Sequence, residues 1–456
     1  MKYYDIENKL LSKLEKNKNP TQILDDNKKI ISEYLIKDYG AIDNFNQKLI
    51  PIILKAKNFD NIEKAINHPL LFIVLSRLRE SDVLIQACQS NDYKMAVKWL
   101  IKLKINLNIK DKMGMNALMH ASEHYALDNA VKEMLKTPEI DIINDEDING
   151  NTALFHAIKN KEIFDTILEK TTKLNHINKE NENIIIYICK HNKVSCLEKV
   201  LPRVANDTSI DINYFNKQNR NALMYLAENC RFREIKKFYK QFKNLSINSK
   251  NKNGESLVSI FIKKFYDFFS NMNNIECFNE ESLISDIAIL TNKVYGRTMD
   301  ALIDIGCNFN ISIDGDGNTP MNFFLMIKDY VSALNLICYC FNLDLSIPNK
   351  YGVSANHLIC NLTKEDFKII DSIKNYIFIN INYDIFKEKA YMHPTFKYCD
   401  IKNKTLISPY DVPSNLSIME SHISIGYYYR NSEKELKNDL FEKLSGGVKM
   451  SKFISR

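Results

Sequence analysis

The sequence predicts an all-α fold, a solenoid of helix-turn-helix units with short hairpin loops, and three observations carry that prediction. First, a phrase recurs: an Asn or Asp, a hydrophobe, an Asn or Ser, and often a further Asn or Asp three positions on. It reads Asn106-Leu107-Asn108 with Asp111, His176-Ile177-Asn178 with Asn181, Asp211-Ile212-Asn213 with Asn216, Ser246-Ile247-Asn248 with Asn251, and Asp344-Leu345-Ser346 with Asn349. With looser copies at Ile143, Phe309 and Ile381, the central hydrophobe falls in steps of 36, 34, 35, 35, 62, 36 and 36. A fixed period in the range of roughly 20 to 50 residues marks stacked units, because one such unit cannot bury its apolar face alone.

Second, a turn phrase lies between successive copies: Gly114-Met115-Asn116, Gly150-Asn151-Thr152, Asn219-Arg220-Asn221, Gly317-Asn318-Thr319 and Gly352-Val353-Ser354. Gly and Asn tolerate positive φ in a tight turn, and the Asn, Thr or Ser that follows can cap a helix by accepting a backbone N–H. Third, each turn is followed by two apolar clusters. After Thr152 these are Ala153, Leu154, Phe155, Ala157 and Ile158, then Ile163, Phe164, Ile167 and Leu168 beyond a charged break. That spacing reads as two short amphipathic helices per unit.

In chain order, residues 1–80 read as a helical N-terminal region with helices at Ile6 to Leu14, Ile23 to Leu35, Phe45 to Lys57 and Leu70 to Leu78. Such a region would cap the open end of a stack. The repeat array follows over 81–382, beginning with Asp82 to Ala87 paired with Met95 to Leu103. The step of 62 implies one interrupted repeat: Gly254-Glu255-Ser256-Leu257 opens a helix through Phe269, and its partner returns at Met299 to Gly306, so an insertion is expected near 270–298. Residues 383–456, with Ser408-Pro409-Tyr410-Asp411 and a possible helix over Ile418 to Tyr429, read as one or two eroded repeats, a cap and a flexible tail.

These units resemble the ankyrin repeat, whose pattern is approximately D-x-x-G-x-T-P-L-H-x-A-A, a second helix, then A-D-x-N. Asp147 to Ile158 and Asp314 to Phe324 are the nearest copies, whereas Lys179 to Ile186 lacks both the Gly and the cap. The family's His position holds Met119, Phe155, Met224 and Asn322, and only His357 keeps it. Since that His ties neighbouring loops together, the resemblance implies an array less regular and less stable than an idealised one. The bias toward Asn, Lys, Ile, Phe and Tyr is similar to that of ankyrin proteins of large DNA viruses and of bacteria living inside protists.

The resemblance implies non-catalytic binding of a partner protein on the concave face made by hairpin tips and first helices. Register places Met113, Met115, His120, Ile148, Asn151, His156, Gln218, Arg220, Asn253, Glu255, Asp316, Asn318, Tyr351 and Val353 there. The Met113-Gly-Met115 pair leads, since tips without a role are normally polar. Pro20, Ile23, Leu24, Ile30, Ile31, Tyr34 and Leu35 resemble the start of an F-box, with a longer spacing between apolar pairs, and imply as alternative a ubiquitin-ligase substrate adaptor.

Other chemistry is set aside. His120-Ala-Ser-Glu123-His124 has the spacing of an inverted zinc motif but no third ligand. Asp145-x-Asp147-x-Asn149-Gly150 and Asp314-x-Asp316-x-Asn318 start like calcium loops, yet His156 and Leu325 stand where a bidentate Glu is required. Cys189, His191 and Cys196 lack a fourth ligand, and Gly446-Gly447-Val448-Lys449 is no phosphate loop. No cofactor, metal or catalytic set is expected. Net charge is +6, from 62 basic and 56 acidic residues, without a dense Lys/Arg stretch, which argues against nucleic acid. Ten scattered cysteines without a C-x-x-C pair, and no apolar run long enough for a signal peptide or a membrane span, suggest a soluble, cytoplasmic monomer.

Overall fold

The computed structural model describes residues 3–362 except 38, 137–140, 206, 208, 243, 273–293, 327–328 and 341, together with 398–400 and 405–407. Helices dominate: α1 (Tyr3–Glu15), α2 (Thr21–Asp26), α3 (Lys28–Lys37), α4 (Tyr39–Lys55), α5 (Asp60–Ile66), α6 (Phe72–Arg79), α7 (Val83–Cys88), α8 (Lys94–Lys102), α9 (Ala117–Ser122), α10 (Asp128–Met134), α11 (Ala153–His156), α12 (Lys161–Lys170), α13 (Ile184–Lys190), α14 (Val194–Val204), α15 (Ala222–Glu228), α16 (Phe232–Gln241), α17 (Leu257–Met272), α18 (Val294–Asp304), α19 (Pro320–Met326), α20 (Tyr330–Tyr339) and α21 (Ala355–Cys360). Packing divides the chain into two units, Met1–Asp211 and Ile212–Arg456.

In the first unit, α7, α9, α11 and α13 form a row of first helices, and α8, α10, α12 and α14 a parallel row of second helices. Val83, Leu118, Leu154 and Ile185 from the first row are buried with Leu100, Val131, Phe164 and Leu197 from the second. This is a continuous apolar layer between neighbours, as a solenoid requires. In the second unit α15 packs on α17, α19 on α21, and α16, α18 and α20 run side by side.

Seven hairpins precede first helices among the described residues, and all are built alike. A carboxylate or amide oxygen accepts backbone N–H groups two and four residues ahead: Asp111 Oδ1 from Met113 and Met115, Asp147 Oδ1 from Asn149 and Asn151, and Asn178 Oδ1 from Glu180 and Glu182, at 2.8–3.0 Å. Asn251, Asp314 and Asn349 repeat the pair of bonds, and Asn216 accepts from Arg220. Three residues after each acceptor the backbone turns through positive φ, at Gly114, Gly150, Asn181, Asn219, Gly254, Gly317 and Gly352.

This corrects two expectations. The copy at Lys179 to Ile186 has lost neither turn nor cap: Asn181 takes the left-handed position at φ 56°, and Asn183 accepts the N–H of Ile186. Nor does Ile177 occupy the phrase's hydrophobic position, since it is 43% exposed while Leu174 is buried. Counted by the hairpin acceptors 111, 147, 178, 216, 251, 314 and 349, the steps are 36, 31, 38, 35, 63 and 35.

The step of 63 is one repeat. Asn213 donates to the Asn244 carbonyl and accepts the Ser246 N–H, and Asn310 relates in the same way to Asn342 and Asp344. Between them Asn248 donates to the Gly306 carbonyl and accepts from Asn308, reaching past both α17 and α18. The two helices are therefore halves of a single unit. The intervening residues 273–293 lie outside the described residues.

At the N-terminal end the predicted helix over Ile23 to Leu35 is two helices, broken where the Asn27 amide donates to the Ile23 carbonyl. Helix α4 packs on α8, Phe59 stacks on Trp99 with ring centroids 4.7 Å apart, and Arg79 Nε donates to the Leu103 carbonyl. Near the other end of the sequence a short strand β1 (Tyr398–Asp400) pairs antiparallel with β2 (Thr405–Ile407). Tyr, Thr and Ile in these stretches favour extended backbone. The readings of Ser408 to Asp411, Ile418 to Tyr429 and Gly446 to Lys449 lie outside the described residues.

Candidate functional site

The hairpins of the first unit form a ladder joined through main chain. Ile148 N–H donates to the Met113 carbonyl and Lys179 N–H to the Asn149 carbonyl, each at 2.9 Å. Asn178 adds a side-chain bond to Asn151 Oδ1. The approach is close enough that a Cβ built on Gly150 would meet Lys179 N at 3.0 Å. Because peptide groups fasten the ladder, the side chains at the tips are left outside it. Met113 is 49% and Ile148 46% exposed, on adjacent tips, with half-buried Met115 behind them. Lys112 and Lys179 are exposed on either side.

Behind the tips, nine residues after the acceptor, the first helix returns a polar side chain to the hairpin. His120 Nε2 lies 2.8 Å from Asp111 Oδ2, and His156 Nε2 lies 3.1 Å from Asp147 Oδ2. His156 also reaches back to the preceding repeat, its Nδ1 3.0 Å from Glu123 Oε1, while Lys159 holds the other oxygen of Glu123 at 2.7 Å. The His156 bond, reinforced by Lys159 against partial burial, lowers the Glu123 pKa to about 2. Burial pulls Asp111 upward, but the His120 bond and the N–H groups of Met115 and Met113 outweigh it and leave the pKa below the ordinary value. Burial, followed by the nearby Glu182, Asp147 and Glu123, pushes the Tyr187 phenol up to about 12. Tyr187 packs between Phe155 and His191.

Apart from half-buried Met115, the register-predicted residues divide into three groups. Met113, Ile148, Gln218, Asn253 and Tyr351 are exposed at tips. His120, His156, Arg220, Glu255 and Asp316 are partly accessible but engaged, Arg220 with Glu228, Glu255 with Lys263 and Asn251, and Asp316 with the Tyr351 hydroxyl. Asn151, Asn318 and Val353 are buried, which corrects their expected projection. Their backbone N–H closes the hairpin onto Asp147, Asp314 and Asn349, turning the side chain into the stack.

Sequence reasoning missed the acceptors Asp111 and Asp147 as partners of the two histidines. The constant offset of nine residues was the available signal. It also missed exposed Met95, in the first turn of α8, and exposed Tyr125, between α9 and α10. The zinc spacing at His120 and Glu123 is consumed by Asp111 and His156, and the calcium-like Asp147 and Asp314 spend Oδ1 on backbone N–H groups and Oδ2 on side chains. No cluster of ligating side chains able to hold a metal occurs among the described residues.

A family model described as ankyrin repeats matches three copies over residues 84–178, the stretch from α7 to the third hairpin. Residues 84–178 are ankyrin repeats. The hairpins at Asn216, Asn251, Asp314 and Asn349 share the bonding pattern of the matched stretch, so the same hairpin design recurs within the second unit. Among solved structures, a chain from the complex of a predatory endopeptidase of Bdellovibrio bacteriovorus with an immunity protein is 22% identical, covering 41% of this chain and 94% of that one at a TM-score of 0.35. Comparison with curated proteins returns no match. No helix among the described residues is long and apolar enough to cross a membrane.

Proposed function

We propose that this chain is a non-catalytic scaffold that binds a partner protein through the hairpin tips and first helices of its ankyrin repeats. Ankyrin arrays present extended concave surfaces used for protein binding. The observation that carries the reading is the exposed pair Met113 and Ile148 on tips joined by a backbone hydrogen bond. Two large apolar side chains held in register on a rigid ladder, with Met115 beneath, supply the desolvated centre of an interface. Within the second unit, taken by itself, Tyr351, Gln218 and Asn253 are exposed tip residues of more polar character.

The adaptor alternative calls for N-terminal helices standing apart as a recruiting lobe. Their packing on α8 through Phe59 and Trp99 favours a cap instead. Burial of Cys88, Cys189, Cys196, Cys230, Cys307 and Cys340 as packing groups supports a reducing, cytoplasmic setting, and we take the working form to be a monomer.

The test is chemical cross-linking in cell lysate, read by mass spectrometry, with wild-type chain and a Met113→Glu/Ile148→Glu variant of unchanged circular dichroism. A partner captured by the wild type and lost by the variant is the expected result. Equal capture by both would remove these tips from the interface.

A further inference from the structure

Helices α18 and α20 are second helices of consecutive repeats in the second unit and pack side by side. Asn335 on α20 donates from Nδ2 to Oδ1 of Asp300 on α18 at 2.8 Å. Its own Oδ1 is buried and meets no donor among the described residues. An amide oxygen in that position carries an uncompensated desolvation penalty, which a donor on the facing side chain would relieve. An ionised carboxylate offers acceptors alone, whereas a carboxylic acid offers one of each.

We propose that Asp300 and Asn335 form a proton-operated clasp between these two repeats: on acidification the Asp300 carboxyl takes one proton from solvent and donates it to Asn335 Oδ1, closing a cyclic acid–amide pair with two hydrogen bonds. The groups facing Asp300 are few. Asp304 lies one turn on along α18, Lys236 comes from α16 and is itself 2.6 Å from Asp304, and Arg297 lies one turn back. Helix α20 contributes no acidic or basic side chain. Burial, then Asp304, raises the Asp300 pKa, against the Asn335 bond and the two cations. A group whose pKa is raised by folding stabilises the fold fully below its unfolded value and loses that contribution as pH rises through the folded one. The pair therefore holds most tightly in acid, and its window opens at the ordinary 3.8 and extends upward.

The test uses the full chain labelled with 13C-carboxyl aspartate, titrated by NMR and assigned through Asp300→Asn, together with hydrogen exchange in α18 and α20 corrected for intrinsic pH dependence. Wild-type Asp300 should titrate above 3.8, and exchange in both helices should slow on acidification through that range, about tenfold for each unit by which the pKa is raised. Asp300→Asn, which is permanently uncharged, should show protection independent of pH there. Titration at or below 3.8, or identical pH profiles for the two chains, would overturn the clasp. Should the variant fail to fold, the wild-type carboxyl titration still decides.

Discussion

His156 Nδ1 lies 3.0 Å from Glu123 Oε1, so a side chain of α11 is fastened to the end of α9 in the repeat before it. The other ring nitrogen faces Asp147, which is almost fully buried. Replacing the imidazole takes one partner from each of two carboxylates, leaving Glu123 with Lys159 and Asp147 with its hairpin donors, and losing a partner at a buried acceptor costs more than the bond itself. His156→Ala should lower the stability of the first unit by about 1–3 kcal/mol in urea unfolding. A change within error would mean that solvent takes over the role of the ring.

Glu123 should impose an acid limit on the same unit. Its pKa is depressed by folding from 4.5 to about 2, so its contribution is complete above the unfolded value and lost as pH falls through the folded one. With allowance for solvent screening, that is about 1–2 kcal/mol. Denaturation midpoints of the wild type should fall between pH 4.5 and about 2, and those of Glu123→Gln should fall less steeply.

Gly150 and Asn181 hold the same left-handed position in adjacent hairpins, at φ 74° and 56°. Gly150→Ala combines that conformation with a Cβ at 3.0 Å from Lys179 N, and should destabilise by about 1–2 kcal/mol or more. Asn181→Gly should be neutral or stabilising by a few tenths of a kcal/mol, because only the conformational penalty changes. Thermal melts of the two variants check the contrast.

Asn310 bridges the carbonyl of Asn342 and the N–H of Asp344. Asn310→Ala should cost about 1–2 kcal/mol and raise hydrogen exchange locally at residues 342–346, leaving the first unit untouched. Uniformly faster exchange across both units would show that the bond matters to more than its own junction.

The fold was legible because its signals are local: positive-φ residues and Asn caps stand at fixed offsets, and the apolar pairs follow them. Misreadings arose where one residue type serves two purposes. His176-Ile177-Asn178 imitates the inter-repeat phrase although Asn178 is the hairpin acceptor, and the true steps of 31 and 38 pass unnoticed because they sum to 69, as do the phrase's 34 and 35. The Gly is absent at Asn181, yet Asn supplies the same positive φ there, and the cap expected to be lost is Asn183. Candidate site residues were less legible, since register alone cannot tell tip positions such as Met113 and Ile148 from Asn151, Asn318 and Val353, whose main chain closes the turn.

Since peptide groups and inward-facing Asp or Asn side chains carry the hairpin ladder, the outermost residues bear almost no structural duty. Positions 112–113, 148–149 and 179–180 can therefore be rewritten one repeat at a time without disturbing their neighbours. Each hairpin behaves as an interchangeable letter on a fixed line of type, and a lineage could retarget this chain by spelling alone.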